Sequence, residues 1–393
     1  MLQGTYSAMT VISISFFVQA YQRFGIDKMV ITLIVMACAI TSILMQPVWG
    51  YIADKYNRPR EIVIISSTIG AALYFAMFAF SHRLWMVLIC AMGIYGSYHC
   101  MMHLIDSWIA KLMIESPGIN YGATRSIGSI TYALTAVVFG VAVSRFGGVI
   151  APFVFFLLNL LLCYVALGMP NPADRTGSGQ GDDRRRGGIS VMETLGYLST
   201  NKPFVIFVVA GFLNAFCTST MGTFYSIAIF ELGGNEASVG LGYFIMAIFE
   251  FPFMFLFNAI KKRLPYSNAF YLALASLFYF LKCFSIASSR SVTAVLLSGL
   301  FHGLAFGIYL PATIAYLVEH VDQKKLSTAQ MVLSSIGFSL GSIVVSPISG
   351  VLSVRLGTQP MLRIISVFSL LSAAILAFAS YYSKSKETTR NER

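Results

Sequence analysis

Residues 148–168 read Gly-Val-Ile-Ala-Pro-Phe-Val-Phe-Phe-Leu-Leu-Asn-Leu-Leu-Leu-Cys-Tyr-Val-Ala-Leu-Gly, 21 residues without one charge. A helix rises 1.5 Å per residue, so about 20 such residues cross the hydrocarbon core of a bilayer. A membrane β-strand would alternate apolar and polar residues over segments of about ten. The unbroken apolar run Val205–Ala210 shows that this chain does not. Of the 393 residues 57% are hydrophobic and 11% charged, against roughly 25% charged in a soluble domain. That composition argues against a soluble enzyme and provides enough apolar sequence for about eleven or twelve spanning helices.

Working outward from 148–168 gives twelve spans: 5–22, 29–50, 61–81, 84–111, 122–144, 148–168, 203–230, 238–260, 266–287, 291–318, 328–352 and 361–382. Between the sixth and seventh lies the long polar stretch Asn171–Ser190, with Gly-Ser-Gly and the run Arg184, Arg185, Arg186. The expected organisation is an N-terminal six-helix bundle over 1–170, a linker over 171–202, a C-terminal six-helix bundle over 203–382 and a tail over 383–393. The fold class is an all-α polytopic membrane protein.

The net charge of +11 collects in short loops. With the N-terminus inside, the inner loops and tail hold 18 Lys and Arg and the outer loops seven. This bias places the linker and both termini in the cytoplasm of a cell (plasma or inner) membrane protein. Orientation accounts for the basic charge without a nucleic-acid partner. The first span lacks a basic leader and a small-residue cleavage site, so it should remain as a helix. All six cysteines fall within apolar spans, none at metal-ligand spacing, so neither a disulfide nor a metal is expected. Nothing calls for a cofactor.

The halves repeat. Span five ends Gly140-Val-Ala-Val-Ser-Arg145-Phe-Gly147, and span eleven ends Gly350-Val-Leu-Ser-Val-Arg355-Leu-Gly357, an offset of 210 residues. Ser126-Ile-Gly128 and Ser335-Ile-Gly337 correspond at 209.

After span two comes Gln46-Pro-Val-Trp-Gly50-Tyr-Ile-Ala-Asp54-Lys-Tyr-Asn-Arg58-Pro-Arg60. A glycine allows a tight inner loop, and an acid followed by bases can cap one helix and bind the end of another. This string resembles the loop signature G-x-x-x-D-x-x-x-R of the major facilitator superfamily, with Gly50, Asp54 and Arg58 in the signature positions and Asn57 replacing a common glycine. Tyr121-Gly-Ala-Thr-Arg125-Ser-Ile-Gly128-Ser129, Gly240 to Glu250, Phe301-His302-Gly303-Leu-Ala-Phe-Gly307 and Ala329-Gln330 are similar to the lactose permease and phenylpropionate permease group. The resemblance implies two bundles of 3+3 inverted repeats that rock around a midplane site. It also implies a secondary transporter without enzymatic activity, working as a monomer, whose partners are a small solute, protons and membrane lipid.

Function should then reside in polar residues inside the membrane, where a charge costs a few kcal/mol. Glu250 lies mid-span in span eight, too deep to snorkel, and serves either as a structural acid or, as the resemblance implies, in substrate or proton binding. His302 is equally central in span ten. The acid that follows the histidine in lactose permease corresponds here to Ala305, so Glu250 with His302 is the expected proton-coupling pair. In span four, Tyr95, His99, His103 and Asp106 recur at helical spacing and should form one polar stripe. Asp106 and Arg125 approach similar depth across the hairpin of spans four and five and can pair. The resemblance assigns Asp106 and Arg125 to substrate hydroxyls and Tyr132 to stacking on a sugar ring. His103 and Asn214 join them as substrate candidates. Lys282, about five residues from an end of span nine, can snorkel and ranks last.

The best reading is a proton-coupled symporter of a small polar organic solute: a sugar, a nucleoside or an aromatic acid. The alternative is a proton-driven efflux antiporter of the same fold, which the 18 Met and 32 Phe fit loosely. A receptor, scramblase or membrane enzyme on this scaffold finds no Ser/His/Asp set, phosphate loop or metal cluster to support it.

Overall fold

Helix α7, Ile150–Leu167, shows how each element is made. It buries Ala151, Phe155, Asn159, Leu162 and Ala166, spaced four, four, three and four residues apart, and exposes Phe153, Leu157, Leu160, Leu161 and Tyr164. The buried stripe holds the one polar side chain, Asn159, with two alanines beside Phe155 and Leu162, while the outward face is wholly large and apolar. That distribution suits a helix in lipid, where apolar exposure is free and packing against neighbours is the driving force.

The computed structural model of the chain describes residues 1–56, 58–102, 104–106, 108–109, 121–169, 191–322, 325, 329–330, 332–333 and 339–391, with backbone alone at 50, 54, 121–126, 191–195 and 383–391. Its helices are α1 (Leu2–Thr10), a π-helical segment Val11–Ser15, α2 (Phe17–Arg23), α3 (Lys28–Tyr56), α4 (Pro59–Ala79), α5 (Leu84–Gly96), α6 (Tyr121–Phe146) and α7. There follow α8 (Val191–Thr200), α9 (Lys202–Glu231), α10 (Glu236–Arg263), α11 (Asn268–Ser288), α12 (Val292–Leu297), α13 (Gly299–His320), α14 (Gly341–Leu356) and α15 (Thr358–Asn391). Among the described residues nine helical spans are long and apolar enough to cross a membrane, and α5 and α14 are shorter apolar helices. The chain is a multi-pass membrane protein.

Among the described residues the expected span ten is divided at Ser298 into α12 and α13, and the first and fourth spans are broken more sharply. The first is interrupted by the π-helical segment and by Phe16, whose φ of −105° and ψ of 5° leave the helical region. Span four was expected to run unbroken over 84–111, but α5 stops at Gly96 and a turn covers 97–100. Side chains take the next carbonyls: Trp49 Nε1 donates to Gly96 O at 2.7 Å and Cys100 Sγ to Tyr95 O at 3.2 Å, while Gly93 O still accepts the Ser97 N–H at 2.9 Å. The polar stripe from Tyr95 through His99 to Asp106 therefore does not lie on one continuous helix.

The repeat appears in backbone geometry. Gly147 after α6 and Gly357 after α14 both adopt positive φ, 83° and 89°. Each donates its N–H four residues back, to Val143 O at 2.9 Å and to Ser353 O at 3.0 Å. A residue with a Cβ is strained there, which is why both halves end this helix on glycine.

The chain divides into two compact units, Met1–Asp182 with Ile229–Ala247, and Asp183–Ala228 with Ile248–Arg393. The first thus includes the start of α10, part of the segment read as the C-terminal bundle. In the second, a core including Phe207, Leu272, Ala275, Tyr279, Ala305, Ala312 and Tyr316 joins α9, α11 and α13.

Candidate functional site

In the first unit, α1 carries Tyr6 and Thr10 one turn apart. Tyr98 donates to Tyr6 O at 2.8 Å and lies 3.0 Å from Thr10 Oγ1, while Tyr6 OH reaches Tyr98 O at 3.3 Å. Asp106 lies within electrostatic reach of Tyr6, and His99 packs on the ring of Tyr95 with centroids 4.3 Å apart. Tyr132 on α6 is half-buried and hydrogen-bonded to Ser15 Oγ at 2.6 Å, with the edge of its ring toward Tyr243. Hydroxyls, one carboxyl and aromatic rings are groups of the kind that bind a solute's hydroxyls. His103 lies outside the described residues, and at Gly50, Asp54 and Arg125 only the backbone is described. Arg58 is exposed at the start of α4, just before Pro59 in its first turn.

The same unit has an ionic end. Arg23 at the end of α2 donates through Nε to Glu236 Oε1 at 2.9 Å and again through its terminal nitrogen, and Lys28 pairs with Glu231.

In the second unit, Glu250 sits on α10 two residues before Pro252, which has no N–H to bond the preceding turn. Gly303 and Gly307, one turn apart on α13, allow that helix to approach α10 at this level. A Cβ on Gly303 would stand 2.9 Å from Glu250 N, and one on Gly307 would stand 2.9 Å from Glu250 O. Small residues at four-residue spacing are how membrane helices make backbone contact. Glu250 is half-buried and close enough to Tyr279 on α11 to interact with it electrostatically.

Lys282, also on α11, overturns its expected role. It does not snorkel: it is 4% exposed, its Nζ lies 3.1 Å from His302 Nδ1, and it stands 5.5 Å from the centre of the Tyr225 ring. The signal was present in the sequence, since Ala275, Tyr279, Lys282 and Ile286 recur at spacings of four, three and four and all are buried. Distance from the helix end was the wrong criterion; the helix face decides. Lys282, Tyr279 and His302 thus meet across α11 and α13, and Tyr279 has Glu250 of α10 within electrostatic reach. Asn214 on α9 is buried and accepts at Oδ1 from Ser369 Oγ at 2.8 Å, which places it in the α9–α15 contact. Among the described residues no three His, Cys, Asp or Glu gather as for a metal.

Polar groups inside a bundle of lipid-facing helices define a membrane transporter fold, and the comparisons with known proteins agree. The chain belongs to the MFS_1-like family, of the major facilitator type, whose profile matches residues 6–364. It is similar to the maltose permease of Geobacillus stearothermophilus, 25% identical over 340 residues, covering 86% of this chain and 82% of that protein. It is also similar to the transporter YwbF of Bacillus subtilis, 21% identical over 77% of this chain and 72% of that protein. A crystal structure of the nucleoside transporter NupG superposes with a TM-score of 0.75 at 17% identity, covering 96% of this chain and 98% of that one. At that identity the likeness establishes the fold.

Proposed function

We propose that this protein is a proton-coupled symporter that imports a small, hydroxyl-bearing organic solute across the cell membrane by alternating access. The observation that carries the reading is Glu250, a carboxyl mid-helix on α10, packed at its backbone against the glycine face of α13 and within electrostatic reach of Tyr279. A carboxyl at that depth has little use as a structural group and suits a proton that must be loaded on one side and released on the other. Asp106, Arg125, Tyr132, His103 and Asn214 are the proposed substrate contacts. The similarity to a maltose permease supports a sugar as the solute, with a nucleoside or an aromatic acid as the other candidates.

The experiment is uptake by purified protein in proteoliposomes, with radiolabelled maltose, uridine and phenylpropionate, under an imposed inward proton gradient. Accumulation of one of them that collapses with a protonophore supports symport. Expulsion of preloaded solute under the same gradient would establish the efflux alternative.

A further inference from the structure

We propose that Lys282 is a positioning residue for His302. Its ammonium occupies Nδ1, fixes the hydrogen on Nε2, and so makes His302 a hydrogen-bond donor in the transport site rather than a carrier of the transported proton. The role in transport rests on the symport reading above; the tautomer does not.

The two side chains come from different helices, α11 and α13, and meet at 3.1 Å between Nζ and Nδ1. An ammonium has three donors and no acceptor, so Nδ1 must be the acceptor, and a neutral imidazole then carries its hydrogen on Nε2. In the reverse arrangement a neutral amine would take the N–H of the ring. Free in water the lysine amine is the stronger base by about four pKa units, so a shared proton rests on lysine. An imidazolium would place two like charges at hydrogen-bond distance, a contact that disfavours the second charge.

The surroundings hold this arrangement. Lys282 is buried, with its ammonium over Tyr225 from α9; Cys217 from α9 and Cys283 from α11 also face it, Tyr279 from α11 faces the imidazole, and Tyr279 in turn has Glu250 of α10 within electrostatic reach. The imidazole sits edge-on to Tyr279 and stacked with Phe306, centroids 6.0 Å away in both cases. The ring is only half-buried, and among the described residues its hydrogen bond runs through Nδ1 to Lys282. Nε2–H is therefore the nitrogen left for a solute oxygen, and Glu250 remains as the acid of this group that can load and release a proton.

The test is 15N magic-angle-spinning NMR of histidine-labelled protein in lipid bilayers without solute, with the His302 signals identified by their loss in His302→Gln. Wild type and Lys282→Arg, which keeps a donor-only cation, should show a protonated Nε2 and a bare Nδ1 from about pH 6 to about pH 8, where an ordinary histidine changes charge. Lys282→Met should show a mixture of tautomers. A wild-type ring with hydrogen on Nδ1, or an imidazolium within that range, overturns the proposal, and so does a Lys282→Met protein that keeps the single wild-type tautomer. If Lys282→Met fails to insert, wild type and Lys282→Arg still decide. Because no solute is present, the outcome is independent of whether the transport assays succeed.

Discussion

Gly140 on α6 and Gly240 on α10 meet backbone to backbone. A Cβ on Gly240 would stand 2.2 Å from the carbonyl oxygen of Ala136, and one on Gly140 would stand 3.1 Å from the Cα of Gly240. Neither clash is with a side chain that can rotate away. The glycine at 240, at the start of the stretch Gly240 to Glu250, thus has a local physical reason: it permits this contact.

Gly240→Ala should therefore force α6 and α10 apart and lower stability by about 1–3 kcal/mol, the usual cost of overpacking. Gly222 on α9 has open space where its Cβ would be, so Gly222→Ala should be neutral or slightly stabilising. Thermal melting of both variants in detergent checks the contrast, and equal melting temperatures would refute it.

Arg23 and Glu236 should be energetically coupled. The carboxylate side chain is 8% exposed and the guanidinium 40%, so water reaching Arg23 limits the coupling to about 1 kcal/mol. Arg23→Gln and Glu236→Gln should each destabilise, and the double variant should lose less than the sum. Strict additivity in the double-mutant cycle would show that the contact contributes nothing.

Glu250→Gln imitates a carboxyl that is always protonated. It should lose proton-driven accumulation while retaining exchange of external for internal solute, a step that needs no proton release. Proton influx accompanying solute in vesicles of this variant would remove Glu250 from the role and make Asp106 the next residue to test.

Gly307→Ala should impair the same step from the neighbouring helix. Its Cβ would stand 2.8 Å from Phe253 Cβ and 2.9 Å from Glu250 O, so α13 must shift against the turn that presents Glu250. Uptake should fall severalfold with normal membrane insertion; unchanged uptake would mean that this turn tolerates displacement.

Arg125→Lys should abolish solute binding with the protein still inserted, because a planar guanidinium offers a two-pronged donor that an ammonium cannot copy. Isothermal titration with the solute accumulated by wild type measures this, and wild-type affinity in the variant would defeat the assignment.

Much of this architecture was legible in the chain itself. Charge-free stretches such as 148–168 have few options besides a membrane helix, because the bilayer leaves no partner for an unbonded peptide group. The repeated Gly147 and Gly357 could be read as helix ends because left-handed backbone is a local property of the residue and its turn. Family membership also followed from short, contiguous motifs. Other features were decided only in three dimensions. The break after Gly96 depends on Trp49 reaching over from α3 to take a carbonyl, and no local pattern announces a donor 47 residues away. Lys282 is half such a case: its inward face on α11 follows from local spacing, but its partner does not. What meets a lysine turned inward depends on the neighbouring helix, and here His302 Nδ1 lies 3.1 Å away. Sequence determined which segments lie in the membrane, since that depends on the sum of their own transfer free energies; tertiary structure decided which polar groups meet, since that depends on the packing of helices far apart in the chain.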